Sequence, residues 1–275
     1  MVRRHGCIDS GSELGSDGHA CWGFEQPQEF VDATLEFFAD GLRSNRRLVY
    51  LSDEPVAEQR ERLDPLGGVG AMVDRGALHL LELKDLYDLG QPVDPVFQAA
   101  LFKAGTEAAQ ADGFSGLCLA TQSTAMVREP RTWEAHLRLE SRADQMATAG
   151  GMSALCGYQR DALPEAVLGD LAAIHPTANA QAEAAPFHLF GEDGGLVLSG
   201  EVDRFSTPAL IRALDRAHTP GAPTALDLEA LKFIDHHGFE ALVAHTRRLA
   251  DSGGCSVRNR PPIVDRLGEL LGIEL

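Results

Sequence analysis

Between residues 28 and 174 the chain alternates amphipathic, helix-length segments with short apolar runs bounded by turn residues, and this pattern most limits what it can fold into. Residues 28–44 place Phe30, Val31, Leu35, Phe38 and Leu42 on one helical face, and Leu48-Val49-Tyr50-Leu51 follows as a run of the buried-strand type. The pattern repeats as a helix near 55–66, a strand at 78–83, a helix at 95–111 and a strand at 116–120. A helix around 131–148, a strand at 153–156 and a helix at 164–174 opened by Pro164 complete it. Strands separated by helices of this length are joined by right-handed crossovers, which predicts an α/β fold with a mainly parallel sheet.

Two segments lack this grammar. Residues 1–17, rich in Gly, Ser and Asp, read as a disordered leader, and 177–186, small and polar, as a linker. From 187 onward a second, smaller α/β unit is expected. It opens with a hairpin of 187–190 and 196–199 around Gly191-Glu192-Asp193-Gly194-Gly195. A helix begins at Ser206-Thr207-Pro208, then come a strand at 225–228, a helix at 237–252, a strand at 256–258 and a helix at 262–271.

The formal charge of −17 argues against a partner made of nucleic acid or an anionic membrane surface, since either needs a basic face. The sequence has no apolar run long enough to span a bilayer and no apolar stretch after Arg3-Arg4 to serve as a secretion signal. Five cysteines without a C-x-x-C pair fit reduced thiols, so the expected location is the cytoplasm.

Leu-Val-Leu-Ser-Gly-Glu-Val-Asp at 196–203 and Ala-Leu-Asp-Leu-Glu-Ala-Leu-Lys-Phe-Ile-Asp-His-His-Gly-Phe-Glu-Ala-Leu at 225–242 make 187–275 resemble a STAS domain, the fold of bacterial anti-sigma-factor antagonists. The resemblance implies a non-enzymatic unit that presents one loop–helix junction, here Glu201, Asp203, Asp235, His236, His237 and Gly238, to an anti-sigma factor, a serine-kinase-like regulator or another STAS protein. The family carries Asp-Ser-Ser-Gly or Asp-Ser/Thr-x-Gly there. Asp235-His236-His237-Gly238 has no hydroxyl to phosphorylate. The two imidazoles remain open to a partner-facing, pH-responsive, metal-binding or phosphate-accepting role, although neighbouring helical residues point about 100° apart and make poor co-ligands.

The first unit, 18–176, is similar to the MEDS family of sensory domains. The likeness rests on Gly18-His19-Ala20-Cys21-Trp22-Gly23-Phe24-Glu25, Phe38-Ala39-Asp40-Gly41-Leu42 and Leu48-Val49-Tyr50-Leu51-Ser52-Asp53-Glu54. It is joined by Gly113-Phe114-Ser115-Gly116-Leu117, by Ala154-Leu155-Cys156-Gly157-Tyr158 and by Ile174-His175-Pro176. The resemblance implies sensing of small hydrocarbon derivatives and a RecA-like sheet with a degenerate P-loop. Phe24 stands where the family often has Tyr. Where a P-loop belongs, the chain reads Phe24-Glu25-Gln26-Pro27-Gln28-Glu29, with no Gly-Lys-Ser/Thr anywhere. Two carboxylates repel a triphosphate and Pro27 removes a donor. Gly151-Met152-Ser153-Ala154-Leu155 lacks the second glycine of a hydrolase nucleophile elbow.

Ligands of open parallel sheets bind beyond the carboxyl ends of the strands. On that rule the expected ligand site gathers His19, Trp22, Phe24, Glu25, Ser52, Asp53, Glu54, Thr121, Gln122 and Tyr158 around a small, mostly apolar ligand with one polar handle. His19 reads equally as a sensing residue or a structural hydrogen-bonder, Cys21 and Cys156 as small core residues or reactive thiols, and His175-Pro176 as the end of a helix. No cofactor, catalytic residue or metal ligand is assigned, and homo-oligomer formation stays open. The expected function is a regulatory protein that senses a ligand or docks a partner. The alternatives are a nucleotide-binding enzyme with a non-standard P-loop and an assembly scaffold.

Overall fold

The computed structural model describes residues 3–148, 150–182, 185–218, 224–250 and 254–275. Among them, seven strands form the first sheet: β1 (Gly6–Cys7), β2 (His19–Phe24), β3 (Arg47–Ser52), β4 (Leu78–Glu82), β5 (Leu117–Gln122), β6 (Met152–Gln159) and β7 (Thr177–Ala178). Their order is β1-β7-β2-β6-β5-β3-β4, and every pairing is parallel. The crossovers carry α1 (Pro27–Arg43), α2 (Val56–Arg62), α3 (Val69–Asp74), α4 (Leu83–Leu86), α5 (Pro95–Ala111), α6 (Trp133–Thr148) and α7 (Glu165–Ala173). The α/β class with a mainly parallel sheet is borne out. None of the helices among the described residues is long and apolar enough to cross a membrane.

Strand alternation sorts side chains between the two faces of the sheet. Ala20, Trp22 and Phe24 of β2 point with Leu48 and Tyr50 toward Phe30, Ala33, Phe37 and Phe38 of α1. Cys21, Leu119, Ala154, Cys156 and Tyr158 belong to the core on the opposite side, with Leu137 and Leu139 of α6.

The second sheet is mixed. β8 (Phe187–Glu192) runs antiparallel to β9 (Gly195–Val202), which also pairs in parallel with β10 (Thr224–Asp227) and β11 (Leu231–Ile234), and β12 (Cys255–Arg258) extends β10. The expected hairpin is present, and its two-residue turn has positive φ at Asp193 (47°) and Gly194 (74°), the combination that matches strand twist. Helices α8 (Thr207–Ala217), α9 (His236–Ala250) and α10 (Pro262–Leu271) complete the unit.

α6 and α7 lie between the two sheets. One continuous apolar cluster joins Leu137, Leu168 and Leu171 of the first unit to Phe187, Leu189, Leu210 and Leu214 of the second. Each such buried side chain contributes about 1.5–3 kcal/mol. Arg216 adds ion pairs to Asp170 (2.8 Å) and Glu134 (3.0 Å), and Arg212 reaches Asp170 at 2.6 Å.

The two segments read as loose are packed instead. In the leader, β1 pairs with β7, Ile8 and Leu14 are buried, and Ser10 caps a short turn whose Gly11 lies so close to the Ala33 carbonyl that no side chain fits. In the segment expected as a linker, β7 pairs with β2, and Asn179 continues that edge through its side-chain amide. It accepts from Gly23 N and donates to Gly23 O, both at 2.8 Å. A few hydrogen-bonding residues in each segment make these contacts without any apolar periodicity, which is why composition concealed them. Residues 1 and 2 of the expected leader and 183 and 184 of the expected linker lie outside the described residues.

Candidate functional site

The expected ligand residues do not converge as a set. Trp22 and Phe24 sit on the α1 face of the sheet, and Phe24 stacks on Phe30 with ring centroids 5.6 Å apart. Alternation along β2 therefore separates both aromatics from His19. Glu25 is exposed and pairs with Arg160 (3.2 Å). Ser52 is buried and accepts from Glu54 N, Glu54 pairs with Arg62 at 2.6 Å, and Asp53 faces solvent. Gln122 is partly buried at the end of β5. Three of the ten meet, in a different place: His19, Thr121 and Tyr158, on the α6 side.

That place is a buried polar cluster inside an apolar layer. His136, Glu140 and Asp144 of α6 are spaced four apart, so they form one stripe down the helix, and all three are buried. Facing them, β2 presents His19 and β6 presents Cys156 and Tyr158, brought level by a register in which Cys21 lies opposite Cys156. His175, just past the end of α7, adds its ring against that of His19, with centroids 4.1 Å apart.

Glu140 is the hub. Its Oε1 accepts from the Tyr158 hydroxyl at 2.6 Å and lies 3.0 Å from His136 Nε2. Its Oε2 faces His19 Nε2 at 3.1 Å, His175 Nε2 at 3.5 Å and Cys156 Sγ at 3.5 Å. Cys156 Sγ is also 3.5 Å from His19 Nε2. Behind His19, Asp144 Oδ1 lies 3.4 Å from Nδ1 and accepts from Arg3 at 2.6 Å, while Asp144 Oδ2 accepts from Gly191 N at 2.6 Å. His175 Nδ1 is 2.7 Å from the Leu171 carbonyl, and the His175 carbonyl lies 2.9 Å from His188 Nδ1 of the second unit.

Burial opposes charge on every group here, and the partners decide the outcome. Burial raises the Glu140 carboxyl, but the surrounding imidazoles of His136, His175 and His19 overcome it and hold the group well below the usual carboxylate range. Burial also raises Asp144, which the neighbouring His19 imidazole and the Arg3 charge bring below its ordinary value. Desolvation lowers His19, yet Asp144 and Glu140 leave it above its ordinary value. Desolvation and the His19 charge depress His175, and burial together with Glu140 pushes the Cys156 thiol well up.

A cavity of about 20 Å³ adjoins the cluster, bounded by His19, Thr121, Glu140 and Cys156 and by apolar side chains such as Phe102 and Leu119. This is room for about one water-sized species, far below the several hundred Å³ that enclose organic ligands. Larger clefts lie elsewhere, about 480 Å³ between α7 of the first unit and α8 of the second and about 650 Å³ beside β9 and β10.

At the head of α1, where a P-loop would offer amides to phosphate, Glu29 Oε2 accepts from Glu25 N (2.8 Å) and Gln26 N (3.2 Å). The chain's own carboxylate occupies those donors.

The junction expected to face a partner is formed as a surface. Asp235 caps α9 by accepting from Gly238 N (3.0 Å) and also accepts from Arg204 N (2.8 Å), tying it to the 203–206 turn, where Asp203 accepts from Phe205 N and Ser206 N. Glu201, His236 and His237 are exposed, the two imidazoles 3.9 Å apart, and Phe205 is 75% exposed. Gly238 is buried instead. A side chain there would meet Val202 and Ile234 at under 3 Å, so the glycine serves packing.

His136, Glu140 and Asp144 escaped the sequence reading, and Cys156 and His175 entered it only as a core residue and a helix end. The available signal was the His-x-x-x-Glu-x-x-x-Asp stripe, which places titratable groups along one helix face flanked by Leu137 and Leu139.

Three comparisons with known proteins bear on this chain. A family model described as "MEthanogen/methylotroph, DcmR Sensory domain" matches residues 18–176, which include all of the cluster except Arg3 and Gly191. No curated protein matches. Among solved structures, the flagellar accessory protein FlaH from Methanocaldococcus jannaschii is similar at 14% identity with a TM-score of 0.42, over 66% of this chain and 75% of that one.

Proposed function

Since this chain belongs to the MEDS family of sensory domains, we propose that the buried cluster is its sensing centre and that the second unit delivers the signal. The observation that carries this reading is Asp144. One of its oxygens faces His19 in the cluster and the other holds the Gly191 amide of β8, so a change in how His19 is held reaches the second sheet through one carboxylate. A ligand shifts such an equilibrium only by its unequal affinity for the two arrangements, and a shared buried carboxylate supplies that inequality.

Signal output by contact rather than turnover is the reading that the self-capped head of α1 supports. The partner surface is the exposed Phe205, His236 and His237 corner, and the partner class is an anti-sigma factor, a serine-kinase-like regulator or another STAS protein in the cytoplasm. The STAS resemblance of 196–203 and 225–242 supports that class.

The test is amide hydrogen exchange on the full chain with Glu140→Gln. Among the described residues, the Glu140 side chain bonds only to residues of the first unit. Faster exchange in 187–192 is the expected result. A change confined to residues before 180 would refute the coupling.

A further inference from the structure

The cluster has more acceptors than donors. The Leu171 carbonyl takes the Nδ1 proton of His175, which turns the Nε2 lone pair into the cluster, where it has no hydrogen-bond partner. His19 turns its Nε2 the same way, 3.1 Å from Glu140 Oε2, while its Nδ1, 3.4 Å from an Asp144 already holding Arg3 and Gly191 N, makes no hydrogen bond. The His175 lone pair confronts Glu140 Oε2, itself an acceptor, at 3.5 Å, and His19 Nε2 converges on the same oxygen at 3.1 Å. The Cys156 thiol has one proton to give and lies 3.5 Å from both Glu140 Oε2 and His19 Nε2. Hydrogen bonds within the cluster leave His175 Nε2 unpaired; a single cation in the middle engages all four groups.

The dimensions agree. One donor atom from each of His19, Glu140, Cys156 and His175 lies within 4.8 Å of all the others, every one of them buried. A tetrahedral ion with legs of about 2.0–2.3 Å sets its ligands about 3.3–3.7 Å apart, against 3.1, 3.5, 3.5 and 3.5 Å for the close pairs here. The outer contacts are also those of a metal site. One ligating imidazole has a carboxylate 3.4 Å behind it and the other hydrogen-bonds a backbone carbonyl at 2.7 Å, the outer partners that metal-ligating histidines take. We propose that His19, Glu140, Cys156 and His175 bind one divalent transition-metal ion of the zinc class.

Two imidazoles, a thiolate and one carboxylate oxygen suit Zn²⁺ or Co²⁺ and disfavour the hard ions Mg²⁺ and Ca²⁺. Binding forms a metal–sulfur bond and breaks the Cys156 S–H bond, releasing one proton to solvent. The charges then balance: a divalent ion and Arg3 against Cys156 thiolate, Glu140 and Asp144. The adjoining cavity of about 20 Å³ opens on this position and leaves space for one small exogenous molecule beside the ion.

This assignment deepens the sensing reading by naming what the cluster holds. Metal content is measured without reference to the second unit, so either can fail alone. Full-length protein carrying His236→Gln and His237→Gln, which removes the exposed imidazole pair, is stripped with chelator and titrated with Co²⁺ and with Zn²⁺. One ion per chain is expected, with the intense near-ultraviolet charge-transfer band of a Co²⁺–thiolate bond that Zn²⁺ abolishes. Cys156→Ser and His175→Gln should each weaken Zn²⁺ binding at least tenfold with the far-ultraviolet dichroism retained. The parent spectrum needs no variant: a Co²⁺ complex without the thiolate band, or no stoichiometric binding, overturns the proposal. Unchanged affinity in either folded variant does the same.

Discussion

Asp144→Asn tests the link between cluster and second unit most sharply by stability. The substitution keeps the shape and an acceptor for Gly191 N, but removes the charge opposite Arg3, whose side chain is 3% exposed against 2% for Asp144. Leaving one member of a buried ion pair uncompensated costs about 3–5 kcal/mol. Arg3 keeps the Asp17 and Gly191 carbonyls at 2.9 and 3.1 Å, which places the cost near the lower end, about 3 kcal/mol. For a chain of this size that lowers Tm by about 6–12 °C. Urea unfolding followed by Trp22 and Trp133 fluorescence measures it. Arg3→Met should cost a similar amount, and the double variant less than the sum by about 2 kcal/mol, because neither charge is then left alone. A loss under about 1 kcal/mol for Asp144→Asn, or additivity within about 0.5 kcal/mol, would refute the reasoning.

Other outcomes follow from single contacts. Asp235→Ala removes the cap of α9 and should cost about 1 kcal/mol in urea unfolding, whereas His236→Ser, on the exposed first helical residue, should stay within about 0.5 kcal/mol. Gly157→Ala would set a methyl 2.6 Å from the Phe30 ring and should lose about 1–3 kcal/mol, with the near-ultraviolet aromatic dichroism altered. His245, lowered to about 4 by burial and the Arg248 charge against the opposing pull of Asp215, stays neutral in the fold when the unfolded chain takes up a proton. Stability from this residue is therefore full above pH 6.5 and lost as pH falls toward 4. The drop in Tm over that window should be shallower in His245→Gln than in the parent.

The parallel sheet was legible because strand-length and helix-length periods differ and each crossover kept its own amphipathic face, as in Phe30, Phe38 and Leu48. β1 and β7 were not, since two-residue strands carry no period and their hold comes from neighbours, Gly6 on Thr177 and Ala20 on Thr177. The site was half legible for a related reason. The rule that ligands lie beyond strand carboxyl ends pointed to the Ser52 and Thr121 loops, while His19 opens its strand and its partners come from α6. Whether Glu140 is a surface helix residue or a buried hub depends on what covers α6. The covering elements are β8 and α8, some 50 residues and more along the chain, beyond the reach of local pattern.

If the cluster is the sensing centre, its state is felt in the second unit. The direct measurement is the backbone amide spectrum of full-length protein, chelator-treated and then Zn²⁺-loaded, read at Gly191 and across 203–206 and 236–237. On loading, the Gly191 resonance should shift and its solvent exchange slow, with smaller shifts at the Phe205–His237 corner. Zn²⁺ bound at one per chain with every resonance after 186 unmoved would contradict it.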